Sequence, residues 1–244
     1  MKKSLPLVAS AALVVLALAG CAPASGDSSG TSGGGVAAPI GVPSRTYSAD
    51  DLVKVLQTAE KTIGTGKISN NATVQADIKS AGGLKPSASL TADGGKIIPA
   101  SCGTTLDNSL VTDSKGFGDG SSGVAAELNY GKGILAVFST DHGSIASGLA
   151  TTLTNSLQSL YTACSTMKVV DGPAALDMTI AKLNDHTDAA QTWALNETIE
   201  VDGKKSPTTV IEALNGNLFI ADTALGGTNA DAIAAVNAVV AAAK

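Results

Sequence analysis

The segment TTVIEALNGNLFIADT, residues 208–223, decides the fold predicted for this chain. Two apolar runs that are rich in strand-forming residues flank Asn215-Gly216, a dipeptide typical of the type I′ turn that closes two-residue hairpins. Because a tight turn joins neighbouring antiparallel strands, the segment predicts a hairpin within an antiparallel sheet.

The upstream sequence adds strands of the same kind. Ala126, Leu128 and Tyr130 alternate with less apolar residues, and Gly131-Lys132-Gly133 then turns the chain into the apolar run at 134–140. This pattern predicts a second hairpin. Period-two alternation over 176–180 and 193–201 predicts further strands. The spacing of turns and strands therefore favours an antiparallel sheet over a parallel one.

Three segments show helical periodicity. Apolar residues recur three or four apart over 48–63, 143–164 and 229–243. Ser48 and Thr228 stand at the starts of the first and last segments as N-cap residues. The sequence thus predicts an α+β domain in which two or three helices cover one face of the sheet.

Residues 1–20 have the features of an export signal. Lys2 and Lys3 precede an apolar stretch that is too short for a membrane-spanning helix. Leu18-Ala19-Gly20-Cys21 resembles the bacterial lipobox, and that resemblance implies a diacylglyceryl group and fatty acyl chains such as palmitate on Cys21. The expected location is the outer face of the cytoplasmic membrane, with the protein held by its lipid anchor. The alternative is an ordinary signal peptide with an incidental cysteine.

Composition separates the rest of the chain into two parts. Residues 21–47 are mainly Gly, Ser, Ala and Pro, which predicts a flexible stalk, and residues 48–244 predict one folded domain. The formal net charge is −5 and aromatic residues are 3% of the sequence. Without a basic patch or an aromatic platform, nucleic acid is not an expected partner.

The other two cysteines are predicted to form a disulfide. With Cys21 acylated, Cys102 and Cys164 remain as an even pair in an exported, oxidising setting. A catalytic or redox role for either cysteine is the alternative. The sequence has no C-x-x-C motif and no histidine next to these cysteines, so a structural bridge is favoured.

Several short motifs match catalytic patterns without the required context. Residues 30–34 match G-x-S-x-G inside the stalk, 118–123 match G-x-G-x-x-G before a strand, and 165–168 match S-x-x-K after a helix end. His142 and His186 each follow an aspartate, but no third or fourth metal ligand stands at a suitable spacing. We therefore predict no catalytic residue, no metal, no cofactor and no enzymatic activity.

The order of these features resembles a known family. Pro99-Ala100-Ser101-Cys102, a strand pair, a long helix ending Tyr161-Thr162-Ala163-Cys164, further strands and an Ala/Val-rich last helix are similar to the extracellular sensor domain of PknH-type actinobacterial serine/threonine kinases and to lipoproteins built on it. The resemblance implies a curved antiparallel sheet and a ligand-binding cleft. This chain has cysteines for one disulfide where the kinase domains carry two, and it lacks a kinase segment.

Two functional interpretations remain open. The first is a non-catalytic, membrane-anchored extracytoplasmic module that binds an unknown ligand, such as a small molecule, a lipid or an envelope protein. The second is a carrier of lipid or other apolar cargo in the cell envelope. The ligand-binding residues are unknown from sequence, because no motif outside the cysteines points to a site.

Overall fold

A nine-stranded antiparallel sheet organises the part of the chain that the structure describes. The structure is a computed structural model, and it describes residues 45–80, 96–109, 123–140, 146–171, 174–201 and 203–244. The elements in chain order are α1 (Ala49–Ile63), β1 (Gly66–Ser69), α2 (Asn71–Ser80), β2 (Lys96–Ile98), α3 (Ala100–Ser109), β3 (Gly123–Tyr130), β4 (Gly133–Thr140), α4 (Ala146–Ala163), β5 (Thr166–Asp171), β6 (Ala174–Leu183), β7 (Gln191–Val201), β8 (Lys204–Asn215), β9 (Leu218–Leu225) and α5 (Asn229–Ala242).

The strand order is β1-β3-β4-β9-β8-β7-β6-β5-β2. Each neighbouring pair is antiparallel, and β7 and β8 make the longest pairing, from Gln191 opposite Leu214 to Val201 opposite Lys204. Gly133 lies where β4 meets β9, and a side chain there would collide with the Thr223 carbonyl. The predicted α+β fold with one antiparallel sheet is confirmed.

The hairpin that decided the fold turns one residue later than the sequence predicts. β8 extends through Asn215, which pairs with Leu218, so the two loop residues are Gly216 and Asn217. Gly216 takes the positive φ of 65° that a residue without a side chain adopts most easily. Asn217 is buried, and its Nδ2 donates to Ser139 Oγ at 3.2 Å. This tertiary contact holds Asn217 in the loop.

Side chains alternate between two faces of the sheet, and the strand registers assign each residue to one of them. We call them the α4 face and the α5 face after the helices that cover them. On the α4 face, the buried apolar residues that pack with α4 are Met167, Val169, Met178, Ile180, Leu195, Ile199 and Val210. On the α5 face, those that pack with α1 and α5 are Ala126, Leu128, Leu135, Val137, Ile211, Ala213, Leu218 and Ile220.

Helices therefore cover both faces, whereas the sequence predicted a single covered face. α1 and α5 are capped as predicted, because the side chains of Ser48 and Thr228 each accept from the backbone N–H of an aspartate three residues on, and the backbone N–H of each cap residue donates to that aspartate's carboxylate. Hydrophobic periodicity shows that a helix has a buried stripe but not which face of the sheet receives it. The choice of face depends on the order of strands, which local sequence does not encode.

Five described elements were not predicted from the sequence. These are β1, α2, β2, α3 and β5. β2 has only three residues, and α3 consists mainly of small and polar residues, so neither has a long periodic pattern. β5 carries buried Met167 and Val169, an alternation of only two apolar residues.

Some predictions fall on residues that the structure does not describe. They include the signal sequence 1–20, Cys21, the G-x-S-x-G match in the stalk, residues 118–122 and His142. Among the described helices, none is long and apolar enough to cross a membrane. The described chain begins at Arg45, and Tyr47 already packs in the α5-face core, where its hydroxyl donates to the Ala243 carbonyl at 3.1 Å.

Candidate functional site

The cysteine pair fixes the helices that cover the α4 face. Cys102 on α3 and Cys164, the residue after α4, form a disulfide with their Cα atoms 5.5 Å apart. Both residues are fully buried among the apolar side chains of the α4 face. The bridge closes a sequence separation of 62 residues and holds α3 against the end of α4. Its burial is that of a structural disulfide.

The short catalytic motifs do not form a site in the described chain. Ser165 follows α4 and Lys168 lies on β5, where its ammonium pairs with Asp177 at 3.1 Å on the surface. The two residues are therefore not one turn apart on a helix. His186 is exposed between β6 and β7, and its neighbour Asp185 accepts from Asn229 Nδ2 at 3.3 Å. No group of metal-ligating side chains occurs among the described residues.

Buried polar groups on the α5 face are largely paired with one another. The Tyr130 hydroxyl donates to Asp222 Oδ1 at 2.9 Å, and both residues are buried. The hydroxyl of Thr209 lies 3.0 Å from Asn196 Oδ1 and 2.9 Å from Asn229 Oδ1. Burial raises the pKa of Asp222 to about 8, although the bond from Tyr130 favours the ionised form. This face carries most of its polar groups in an internal network, although Asp222 Oδ2 has no partner in the described structure.

The α4 face has buried polar atoms without partners. Glu197 on β7 and Glu212 on β8 are 4% and 6% exposed, and one carboxyl oxygen of each, Oε2, makes no hydrogen bond in the described structure. Thr223 on β9 is fully buried, and its Oγ1 also lacks a partner there. Buried polar atoms are rarely left unpaired in folded proteins, so each calls for an explanation.

The registers place these three residues around an apolar pair. Leu195 and Val210 lie opposite each other, and Val210 lies opposite Thr223 on the next strand. Glu197 is two residues along β7 from Leu195, and Glu212 is two residues along β8 from Val210, in the opposite direction across the pair. The two carboxyls therefore lie at the ends of a diagonal line across β7 and β8. The apolar pair lies between them, and the Thr223 hydroxyl lies beside Val210. We call Leu195, Glu197, Val210, Glu212 and Thr223 the acidic diagonal.

Burial changes the titration of both carboxyls. Loss of solvent raises the pKa of Glu197 to about 7, and it raises the pKa of Glu212 to about 7 with a further contribution from the Glu197 charge. Carboxyl groups with such pKa values change charge near neutral pH. Perturbed groups of this kind cluster at functional sites, although buried structural groups shift as well.

Side chains from α4 approach the same region. The Tyr161 hydroxyl donates to the Ala194 carbonyl at 3.2 Å, and burial together with the nearby Glu212 charge raises the pKa of Tyr161 to about 12. Trp193, which lies opposite Glu212 on β7, donates from its indole nitrogen to Thr154 Oγ1 at 3.1 Å. α4 thus contacts the sheet beside Glu212.

Residual exposure distinguishes the acidic diagonal from the opposite face of the same strand. Along β8, Val210 and Glu212 are 8% and 6% exposed, whereas the intervening Ile211 and the following Ala213 are fully buried. Successive residues of a strand point to opposite faces, so at these positions the small exposed fraction lies on the α4 face, whereas Oε2 of Glu212 is itself inaccessible to solvent.

Comparison with solved structures gives two neighbours from mycobacteria. The extracellular domain of PknH from Mycobacterium tuberculosis matches with a TM-score of 0.49 and 12% identity, over 82% of this chain and 98% of that domain. A putative uncharacterized protein from Mycobacterium smegmatis matches with a TM-score of 0.35 and 14% identity, over 69% of this chain and 94% of the other. No family model matches the chain, and no curated protein matches it significantly.

Sequence reasoning did not identify the acidic diagonal. A usable signal was present in TTVIEAL, because strand alternation places Glu212 in phase with Val210 and Leu214. A carboxylate is unusual at a strand position whose neighbours two residues away are buried and apolar, so it marks a candidate site. Glu197 gave the same signal between Leu195 and Ile199. That the two carboxyls share one face depends on the register of β7 with β8, which only the folded structure shows.

Proposed function

We propose that the protein is a membrane-anchored extracytoplasmic lipoprotein with a non-catalytic, sensor-like domain that binds its ligand on the α4 face. The observation that carries this proposal is the group of unpartnered buried polar atoms on the acidic diagonal. An unpaired buried polar group costs roughly 1–3 kcal/mol, and a ligand that supplies hydrogen-bond partners removes that cost. The lipobox-like Leu18-Ala19-Gly20-Cys21 and the stalk behind it support the anchored, extracytoplasmic location.

The test of ligand binding is native mass spectrometry of the full protein purified from an actinobacterial host. A non-covalent adduct on the wild type that is reduced in Glu212→Gln would support binding on the α4 face. Asp222→Asn is the matched control, because Asp222 is an equally buried acid on the α5 face. A wild-type protein that carries no adduct would contradict the proposal.

The same measurement separates the sensor-like module from the carrier. A co-purified lipid, unaffected by Glu212→Gln, would favour a carrier of apolar cargo. The acidic diagonal argues for a ligand with polar groups, since an apolar molecule would leave both carboxyls and the Thr223 hydroxyl unpaired.

The anchor is tested by replacing the proposed lipidation residue. In cells that express Cys21→Ala, we expect the protein to move from the membrane fraction to the medium or aqueous fraction, because the acyl chains supply the membrane affinity. Cys21→Ala that stays membrane-bound would rule out lipidation at Cys21 as the anchor. Wild-type protein in the same fractionation is the control.

A further inference from the structure

The helix α4 lies over the acidic diagonal and is joined to the rest of the fold by a disulfide at one end. We propose that α4 is a pH-dependent cover of this face. It is closed while Glu197 and Glu212 are protonated, and it turns away from the sheet about its disulfide-held end when they ionise. Because it names the regulation of the site on that face, this inference rests on the proposed function, but the movement itself is tested without a ligand.

The two carboxyls are buried beneath the helix. Leu157 and Leu160 of α4 pack in one cluster with the apolar pair of the acidic diagonal. Oε2 of Glu197 and Oε2 of Glu212 are inaccessible to solvent and have no hydrogen-bond partner in the described structure. The closed position of α4 therefore suits two neutral carboxyl groups, whereas two carboxylates would lose their hydration there without gaining a cation.

The helix brings no charge that could balance a carboxylate. α4 has no charged residue between Ala146 and Ala163, and its titratable side chain near Glu212 is Tyr161. The side chains described for α3, at 100–105, add no charge either. Ionisation of the glutamates therefore opposes the closed position of α4.

The strands supply no paired cation. The residues directly opposite the two glutamates on neighbouring strands are uncharged: Ile180, Trp193, Thr208 and Ala221. The other charged side chains that the described strands place on this face are Lys67, Glu127, Lys182 and Lys204. The three lysines are exposed, and none of the ion pairs described for the structure involves Glu197 or Glu212.

The described attachments of α4 are concentrated at its C-terminal end. Cys164, directly after the helix, is bonded to Cys102, and the Tyr161 hydroxyl donates to the Ala194 carbonyl. About 15 Å farther along the helix, the Trp193 indole donates to Thr154 Oγ1 at 3.1 Å. Outward rotation about the disulfide breaks this last bond and leaves the strand pairing of the sheet intact.

The apolar packing of α4 is also looser than that of α5. Leu157 and Leu160 keep 9% and 6% of their surface exposed, whereas Val236 and Val239 of α5 are fully buried. Less apolar surface removed from water means a smaller free energy that holds the helix against the sheet. α4 is therefore the covering helix that separates from the sheet more easily.

Burial of the glutamates sets the direction of the pH dependence. In the closed position the pKa of each is about 7, and in the open position water restores a pKa near the ordinary value of 4.5. The closed form binds the protons more tightly, so closure is fully favoured below about pH 4.5 and is weakened as the pH rises to about 7. In this interval each carboxyl that ionises on opening raises the opening constant by up to about tenfold per pH unit.

The experiment is hydrogen exchange with mass spectrometry on the full-length protein at about pH 5 and about pH 7. A helix separated from its packing partners is only marginally stable in water, so open α4 exchanges its amide protons. After correction for the intrinsic exchange rate, the protection of α4 should fall at least about tenfold between the two pH values. At the higher pH it should be at least about tenfold below the protection of α5.

Two variants assign the decline to the glutamates. In Glu197→Gln/Glu212→Gln, α4 should keep its protection to within about twofold between the two pH values, because no carboxyl on the diagonal remains to ionise. Asp222→Asn is the matched control, since it removes a buried acid from the α5 face, and it should leave the decline in α4 as it is in the wild type.

Trp193 provides a measurement that needs no substitution. It is the one tryptophan of the sequence, and its indole contacts α4 beside Glu212. Opening of α4 exposes the indole, so quenching of its fluorescence by acrylamide should increase at least about twofold between the same pH values. This result remains decisive if the glutamine variant fails to fold.

Three outcomes would overturn the movement of α4. They are equal protection of α4 and α5 at both pH values, a decline in α4 protection that persists in the glutamine variant, and acrylamide quenching of Trp193 that does not change with pH. A native adduct sensitive to Glu212→Gln on a protein whose α4 stays protected would refute the movement alone. pH-dependent opening of α4 in a protein without an adduct would support the movement and contradict the proposed function alone.

Discussion

The two faces of the sheet differ in how their buried polar groups are paired. On the α5 face, Asp222 accepts from Tyr130, and Thr209 contacts two asparagines, so polar groups satisfy one another inside the protein. On the α4 face, Oε2 of Glu197, Oε2 of Glu212 and the Thr223 hydroxyl have no partner in the described structure, and on the α5 face Asp222 Oδ2 is also without one. A polar network that is satisfied internally stabilises a fold, whereas unpartnered groups cost free energy and persist where they serve another purpose. More of the unpartnered atoms lie on the α4 face, which is the face proposed to bind a ligand.

The faces also differ in how their helices are held. α1 and α5 pack against each other and against the sheet through apolar residues, and both carry capping boxes. α3 and α4 are held by the disulfide between Cys102 and Cys164. Because a disulfide stabilises the folded state, it can hold α3 and α4 over a face whose unpartnered polar atoms do not add to stability.

The largest predicted effect comes from removing the bridge. The double variant Cys102→Ser/Cys164→Ser should lower the free energy of unfolding by roughly 4 kcal/mol, the value of the chain-entropy model for a loop of this length. Urea denaturation measures the change. Hydrogen exchange should show the loss of protection on α3, α4 and β5, with α1 and α5 less affected.

Thiol labelling supplies the control for that variant. In the unreduced wild type we expect no reaction of Cys102 or Cys164 with a thiol reagent. Stoichiometric labelling of either residue would show that the bridge is absent. Equal loss of protection on both faces would contradict the separate roles assigned to the disulfide and to the terminal helices.

The second prediction concerns pH. Burial raises the pKa of Glu197 and Glu212 to about 7 and that of Asp222 to about 8, from ordinary values of 4.5 and 3.8. Between the ordinary pKa of each carboxyl and its raised value, the folded protein keeps a proton that the unfolded chain has released. The stability is therefore fully present below about pH 4 and is lost as the pH rises to about 8, by roughly 3 kcal/mol for each glutamate and by a further amount for Asp222. Thermal unfolding across this pH range measures the decline.

A variant separates the contributions of the two faces to that decline. In Glu197→Gln/Glu212→Gln, the loss of stability should be smaller, because Asp222 and Glu127, whose pKa burial also raises, are the described carboxyls with a raised pKa that remain. The exposed Asp231, whose pKa is lowered to about 2 by Lys132 and Thr228, acts in the opposite direction and only in strong acid. An unchanged profile in the variant would show that the two glutamates do not titrate as buried groups.

A pair of apolar substitutions should give effects of opposite sign on the two faces. Glu212→Leu should raise the free energy of unfolding by about 1 kcal/mol, because an unpaired carboxyl is replaced by an apolar side chain in an apolar setting. Asp222→Val should lower it by about 1–3 kcal/mol, because the buried Tyr130 hydroxyl loses its acceptor. Urea denaturation of both variants at one pH gives the comparison. Destabilisation by Glu212→Leu would mean that Glu212 has a structural role.

The smallest predicted effect is at a helix cap. Thr228→Ala removes the side chain that accepts from the Asp231 backbone N–H at the start of α5, and it should cost about 1 kcal/mol. Thr228→Ser retains the hydroxyl and serves as the control. Since α5 covers the α5 face, neither variant should change ligand binding on the acidic diagonal, and a change there would mean that the two faces are coupled.

Local sequence determined most of the secondary structure that carries the fold. Alternation at 126–130 and 208–214 predicted strands, and the helices after Ser48 and Thr228 begin where their caps indicate. These features depend on neighbours within a few residues, which the sequence shows directly. α2 and α3 were missed because their apolar residues do not form a clear stripe, and their helical structure depends on contacts with the rest of the fold.

The sequence by itself also established that Cys102 and Cys164 form an even pair once Cys21 is assigned to the anchor, and the structure joins them. Only the tertiary structure decided which face each helix covers and where the unpartnered polar atoms meet. Glu197, Glu212 and Thr223 come from three strands, and their proximity is set by two strand registers. A register is a long-range pairing that depends on the whole sheet, so a single strand cannot reveal which residues will share a site.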